Sequence, residues 1–320
     1  MIRTIAAVKV ILCMSAPFAP LPALAVSWYG FSPFPSAEFH RANNRAFCEE
    51  VLAATDERMK IAIDSYLGTT DQETFSLVST GAMPIGEILI SALADQNPIF
   101  GIDSIPFLAT SYDESAALMR AARGPIEKAL ETRGIRLLYM VPWPPQGIYT
   151  VQEIATVGDL KGLKFRVENP TIARIAELAD GEEVRGVSLH KLNEAFLAGQ
   201  VDVASGPPQS GGMSVFNHFY DLRAWLPYRA VVANAHAFLD LPEARREVIL
   251  AAAATAEKRG LEMSRTYDED RKSALAKAQH LREPSDELLS ALRRFGEQMT
   301  EEWRQAAGDE GRMALERYRQ

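Results

Sequence analysis

From Asp159 to Gly206 the chain reads DLKGLKFRVENPTIARIAELADGEEVRGVSLHKLNEAFLAGQVDVASG, and this block restricts the fold most tightly. The run Gly162 to Val167 has the character of a strand and carries two basic side chains, Lys164 and, near its end, Arg166. A helix pattern follows from Pro170, with Ile172, Ile175, Ala176 and Ala179 at helical spacing. A second begins at Ser188, and Val201 to Ala204 reads as another buried strand. Asn169 is placed to cap the first helix, with Pro170 at the position where its missing N–H costs nothing. An arginine that ends such a strand faces the crevice at the strands' C-terminal ends, where open α/β sheets hold ligands. Its fork of N–H donors suits a carboxylate in two-point contact, and the adjacent helix N-terminus adds positive potential. Spacing alone leaves a second reading open, in which Arg166 pairs with Glu168 at the surface.

Strands and helices alternate through the rest of the chain, which predicts α/β lobes with mixed, largely parallel sheets. Val26–Phe31, Met59–Tyr66, Gly86–Ala92 and Ile135–Val141 read as strands. Helices are expected from Glu38 to Ala54, from Thr70 to Ser79, and in two pieces over Asp113–Ala122 and Ile126–Thr132. Thr70 with Glu73 three residues on forms a capping-box pattern. Pro142-Trp-Pro-Pro then makes a stiff connector, with Trp143, Gln146 and Tyr149 as candidate walls of a partly wet cleft. Phe219–Leu226 and Val231–Phe238 complete the expected strands. From Leu241 apolar residues recur at three, four or seven positions as far as Leu281. About 40 residues of helix would reach roughly 60 Å, too long for one lobe. The alternative is two helices broken at Gly260. A last helical region starts at Pro284-Ser285-Asp286 and carries Trp303.

These pieces carry a family likeness. DLKGLKFRV, a helix and then AFLAGQVD, together with FGIDSIPFLA (Phe100–Ala109), HFYDL (His218–Leu222) and DLPEARREVIL (Asp240–Leu250), resemble the solute-binding P subunit of TRAP transporters, the DctP-like family. The likeness covers nearly all of the chain after the leader, in order. It implies a two-lobed periplasmic binding protein with a long helix lying across both lobes. Residues 1–25 would be a signal peptide, 26–150 the first lobe and 151–230 the second. Residues 231–320 would then hold a return strand to the first lobe, the lobe-spanning helix and the C-terminal helices. It also implies capture of a small organic acid between the lobes and delivery to membrane permease subunits driven by an ion gradient, with no cofactor.

By analogy of position the ligand would meet Arg166, Trp143, Gln146, Tyr149, Asn169 and Ser205, with Phe107 and Glu87 as weaker candidates. Many relatives carry an acidic or amide residue after the strand that ends at Ala204; Ser205-Gly206-Pro207-Pro208 stands there instead. That departure leans toward a monocarboxylate with an apolar body, such as a 2-oxo or aromatic acid. Two other readings are a binding protein that feeds a sensor or an ATP-driven importer, and a periplasmic enzyme on the same scaffold.

Composition narrows these choices. The first 25 residues hold two basic and no acidic side chains, so their removal takes the net charge from −8 to −10. A nucleic-acid binder needs a basic stripe instead. Arg3 and Lys9, the apolar stretch Val8–Leu24 and Ala23-Leu24-Ala25 have the form of a cleaved leader, interrupted by too many prolines for a membrane anchor. After the leader only Cys48 remains of two cysteines, so no internal disulfide is available, and its helix pattern suggests a buried thiol. The five histidines are scattered, which argues against a metal site, and no G-x-G-x-x-G, P-loop or G-x-S-x-G occurs. His40 is expected at a surface helix start.

Overall fold

The computed structural model describes residues 25–33, 38–66, 68–187, 191–208 and 215–320. The expected leader up to Leu24 and the expected helix start at Ser188 lie outside these residues. β1 (Val26–Ser32) and β2 (Met59–Ser65) pair in parallel, joined by helix α1 (Glu38–Ala54). α2 (Asp71–Ser79) begins with the expected reciprocal cap: Glu73 N–H donates to Thr70 Oγ1 at 3.1 Å, and Thr70 N–H donates to Glu73 Oε2 at 2.8 Å. β3 (Ile85–Leu89) is shorter than expected and runs into a 3₁₀ turn at Ile90–Leu93.

α3 (Tyr112–Glu131) is one helix and not two pieces. Pro125 lies inside it and removes one backbone bond, a cost of about 3 kcal/mol. Leu118, Met119 and Ala122 before the proline and Ile126, Ala129 and Leu130 after it are all buried in one core, which outweighs that loss. β4 (Ile135–Pro142) and β10 (Tyr228–Asn234) pair antiparallel, and β10 also pairs with β3, giving the order β3-β10-β4. Every residue of β10 is buried, because alternate side chains enter different cores. Ala230 and Val232 join the Leu118 cluster, while Val231 and Ala233 join Phe47, Tyr139 and Ile249.

The third sheet has six strands in the order β11-β9-β5-β8-β6-β7. These are β5 (Gly147–Thr150), β6 (Lys164–Arg166), β7 (Glu182–Val184), β8 (Val203–Gly206), β9 (His218–Tyr220) and β11 (Leu281–Arg282). Its two faces are covered by α4 (Pro170–Leu178) and α5 (Leu192–Leu197), whose apolar residues fall in separate clusters. β5, expected at the end of the first lobe, is hydrogen-bonded in this six-stranded sheet between β8 and β9. Parallel and antiparallel pairings occur about equally among the described strands, a weaker parallel bias than expected. The cause is that the chain crosses between sheets and returns, so β5 and β10 enter antiparallel to their neighbours.

The two crossings run side by side. Trp143 N–H donates to Pro227 O at 2.7 Å, Gln146 N–H to Trp225 O at 2.8 Å, and Ala224 N–H to Gln146 O at 2.9 Å. The strand expected over Phe219–Leu226 therefore stops at Tyr220, and residues 221–227 are spent on this irregular seam. The strand expected over Val231–Phe238 ends at Asn234, whose Oδ1 accepts from Ala237 N–H at 3.0 Å and starts helix α6 (Ala235–Leu239).

α7 (Glu243–Lys277) is unbroken over 35 residues, about 50 Å. Its Ile249 to Ala256 pack in the core of the three-stranded sheet and its Leu275 in that of the six-stranded one. Gly260 does not break it. A Cβ there would lie 2.4 Å from Val141 Cγ2 and 2.9 Å from Asn43 Nδ2, so glycine lets the helix lie against β4 and α1. α8 (Asp286–Ala306) also bridges the halves: Leu288 and Leu292 pack in the core of the six-stranded sheet. Trp303 packs against the core of the three-stranded sheet, where its Nε1 donates to Pro98 O at 2.6 Å. α9 (Gly308–Tyr318) closes the chain against α3. No helix among the described residues is long and apolar enough to cross a membrane.

Candidate functional site

A cavity of about 310 Å³ opens between the β3-β10-β4 sheet and the six-stranded sheet, with the paired crossings as its floor. From the three-stranded side come Asp71, at the start of α2, and Arg229 of β10. From the six-stranded side come Arg166, Glu168, Asn169 and Ser205. The crossings add Trp143, Gln146, Trp225 and Pro227.

Arg166 ends β6 and is only 7% exposed. Its Nε donates to Val187 O at 2.9 Å and its Nη1 pairs with Glu168 Oε2. Arg166 is thus paired with Glu168, but the pair lines a cavity and is not on the outer surface. No hydrogen bond among the described residues reaches Nη2, which leaves an end-on pair of donors from Nη1 and Nη2. Glu168 is fixed from its other side by Ser205 Oγ, which donates to Oε1 at 2.8 Å. Asn169 Oδ1 accepts from Ile172 N–H at 3.0 Å, so its carbonyl oxygen caps α4 and its amide N–H₂ remains a donor at the rim.

On the other wall Arg229 is 2% exposed. Its Nη2 lies 3.3 Å from Asp71 Oδ1 and its Nε 3.4 Å from Glu87 Oε2. Burial raises the Asp71 carboxyl; Arg229 and the Leu89 N–H, which donates at 2.7 Å, work against that rise. Burial also acts to raise Glu87, but the effects that oppose it, led by the Arg229 charge, hold its carboxyl below the usual range. His40 is buried against Trp143, with ring centroids 4.7 Å apart, and is not at the surface as expected. Desolvation pushes its imidazole down to about 3.

Of the six predicted contacts, the structure brings Arg166, Trp143, Gln146, Asn169 and Ser205 to this one cavity. Gln146 is buried and its Nε2 donates to Pro144 O at 2.8 Å. Tyr149 is the exception. It is buried in the core with Phe216 and Phe219, and its hydroxyl donates to Pro207 O at 2.8 Å. Tyr149 follows the crossing by one strand position too many, and β5's pleat turns it away from the cleft. Phe107 lines a separate apolar void of about 30 Å³ behind Ser205 and Trp225, room for about one water-sized sphere. Glu87 lies beneath the floor, paired to Arg229. Arg229, Asp71 and Trp225 also line the cavity and are not among the expected contacts. The signal for Arg229 was a lone charge inside the apolar run Tyr228–Asn234, where an unpaired cation is too costly to bury.

The described residues contain no group of three or more His, Cys, Asp or Glu side chains that could hold a metal ion. Cys48 is partly buried, and desolvation pushes its thiol up to about 12.

Two sheets joined by paired crossings, with a charged cavity between them, define a two-lobed binding protein. The model of the bacterial extracellular solute-binding protein family 7, DctP, matches residues 35–308. The chain belongs to this family, whose members and structural neighbours are solute receptors and not enzymes. It is similar to DctP7 of Bordetella pertussis, an extracytoplasmic solute receptor binding pyroglutamic acid. Identity is 34%, with 92% of this chain and 100% of that one covered and a TM-score of 0.88. It is also similar to DctP6 of the same organism, likewise a receptor binding pyroglutamic acid, at 34% identity over 92% and 99% of the chains with a TM-score of 0.87. A TRAP solute-binding protein from an unidentified marine microbe, specific for pyroglutamate, shares 26% identity over 92% and 99% of the chains with a TM-score of 0.86. No curated protein sequence matches the chain.

Proposed function

We propose that this protein is the extracytoplasmic receptor of a TRAP system, that it captures a small cyclic monocarboxylate of the pyroglutamate type, and that it hands this solute to permease subunits in the membrane. The observation that carries the reading is the buried Arg166 guanidinium, which lines the cavity, is anchored through Nε to Val187 O and through Nη1 to Glu168, and has no hydrogen bond to Nη2 among the described residues. The guest's carboxylate takes the Nη1 and Nη2 donors end-on. Desolvated, charge-assisted bonds of this kind dominate recognition of a small anion. Trp143 and Trp225 give flat apolar walls for a ring. The three similar receptors, two binding pyroglutamic acid and one specific for pyroglutamate, support the same choice. A leader over residues 1–25 would carry the chain out of the cytoplasm.

The two sheets move as lobes about the crossings near residues 142–147 and 220–228. A guest that touches Arg166 on one side and the α2 start on the other favours the closed form by its differential affinity. Isothermal titration with pyroglutamate tests this. Binding that is lost on Arg166→Ala, with an unchanged melting temperature in the absence of solute, is the expected result. Unchanged affinity in the variant would overturn the assignment of Arg166, and absence of binding to the native protein would overturn the choice of solute.

A further inference from the structure

The charges that line the cavity balance before any guest arrives. Arg166 and Arg229 are matched by Glu168 and Asp71 among the described lining residues, and Glu87 stands behind Arg229. A monoanionic guest therefore adds an unmatched negative charge beside carboxylates. A guest made only of acceptors is repelled there, whereas one that also carries a donor is not. The two acidic lining residues differ in availability. Asp71 Oδ1 already accepts from Leu89 N–H and faces Arg229, so it is part of the framework. Glu168 is about a third exposed, is held from both sides by Arg166 and Ser205, and has lone pairs to spare.

We propose that Glu168 is a specificity-determining residue: it accepts an N–H from the solute, and so selects acids that carry an N–H on the carbon next to the carboxylate. The proposal rests on the carboxylate reading of Arg166. Arg166 Nη1 and Glu168 Oε2 are in direct contact, so the groups that meet them must be neighbours in the guest as well. A carboxylate and a nitrogen on one carbon satisfy that spacing. Ser205 Oγ, which donates to Glu168, keeps its carboxylate turned to this position. A site built around a donor rejects the isostere that lacks it far more strongly than an apolar pocket does, because a buried polar group is then left unpaired.

The test uses two probes of one shape: pyroglutamate, and the lactone in which a ring oxygen replaces the ring N–H. The native protein should bind the lactone at least about 100-fold more weakly. In Glu168→Met, which keeps the length of the side chain but has neither a carboxylate acceptor nor a charge, the lactone should bind more tightly than it does to the native protein. Pyroglutamate should bind the variant more weakly, and the discrimination should shrink at least about tenfold. A purely structural role for Glu168 would weaken both probes together. Equal affinity of the native protein for the two probes overturns the proposal without touching Arg166 and needs no variant. Full discrimination retained in a folded Glu168→Met protein overturns it also. Loss of both probes in Arg166→Ala, with the lactone rejected by the native protein, supports the two roles separately.

Discussion

Arg229 Nε lies 3.4 Å from Glu87 Oε2, and the two side chains are 1% and 2% exposed. The pair joins β10 to β3 within the sheet that forms the first wall of the cavity. Removing one member leaves a buried charge without its main partner, which costs about 3–5 kcal/mol. Arg229→Met should lower the denaturant midpoint accordingly. Arg229→Met with Glu87→Met should recover much of the loss, since replacing both charges by apolar volume is close to neutral. A double variant no more stable than the single one would show that the pair does not act as a unit.

His40 gives this cluster a pH dependence. Its folded pKa of about 3 lies below the ordinary 6.5, because burial disfavours the imidazolium. The unfolded chain therefore binds a proton that the folded chain refuses. This contribution to stability is complete above about pH 6.5 and is lost as pH falls toward 3. Chemical denaturation at pH 7 and pH 5 should show a steeper loss for the native protein than for His40→Gln, a difference of about 2 kcal/mol.

Asp103 acts in the opposite sense. It is buried near Tyr228, whose N–H donates to Oδ2 at 2.7 Å, and burial pushes its carboxyl up to about 7. The folded state holds this proton where the unfolded chain has released it. The resulting stability is complete below about pH 3.8 and is lost as pH rises through 7. Asp103→Asn keeps an acceptor for Tyr228 and has no charge to bury. Its melting temperature relative to the native protein should rise between pH 4 and pH 8.

The long helix α7 rests on Gly260. A methyl group there meets Val141 at 2.4 Å, and Val141 lies two residues before Trp143 of the cavity. Gly260→Ala should destabilise by about 1–3 kcal/mol through overpacking. Combining it with Val141→Ala should return part of that loss. Simple additivity of the two losses would contradict the close contact.

Cys48 should resist alkylation. With the thiol held up to about 12, almost no thiolate is present at pH 8. Iodoacetamide should label it at least about tenfold more slowly in the native state than in urea, as followed by intact mass.

The block from Asp159 to Gly206 carried its local structure in its own residues. Asn169 and Pro170 start α4 where capping chemistry demands, and Thr70 with Glu73 does the same for α2. Strand and helix existence, the long helix and the place of Arg166 at a strand end follow from periodicity, which each segment records by itself. Tertiary structure decided what depends on segments far apart. Pro125 stays inside a helix because a distant core rewards continuity, and Gly260 is a contact point because β4 passes there. Residues 221–227 leave the strand state to hydrogen-bond with residues 143–146. That seam turns Trp225 toward the cavity, while β5's pleat turns Tyr149 away. The pairing of Arg229 with Asp71 and Glu87 joins residues more than 140 positions apart. Local sequence sets torsions and caps, but which charges meet across a cavity is set only when the two sheets are brought together.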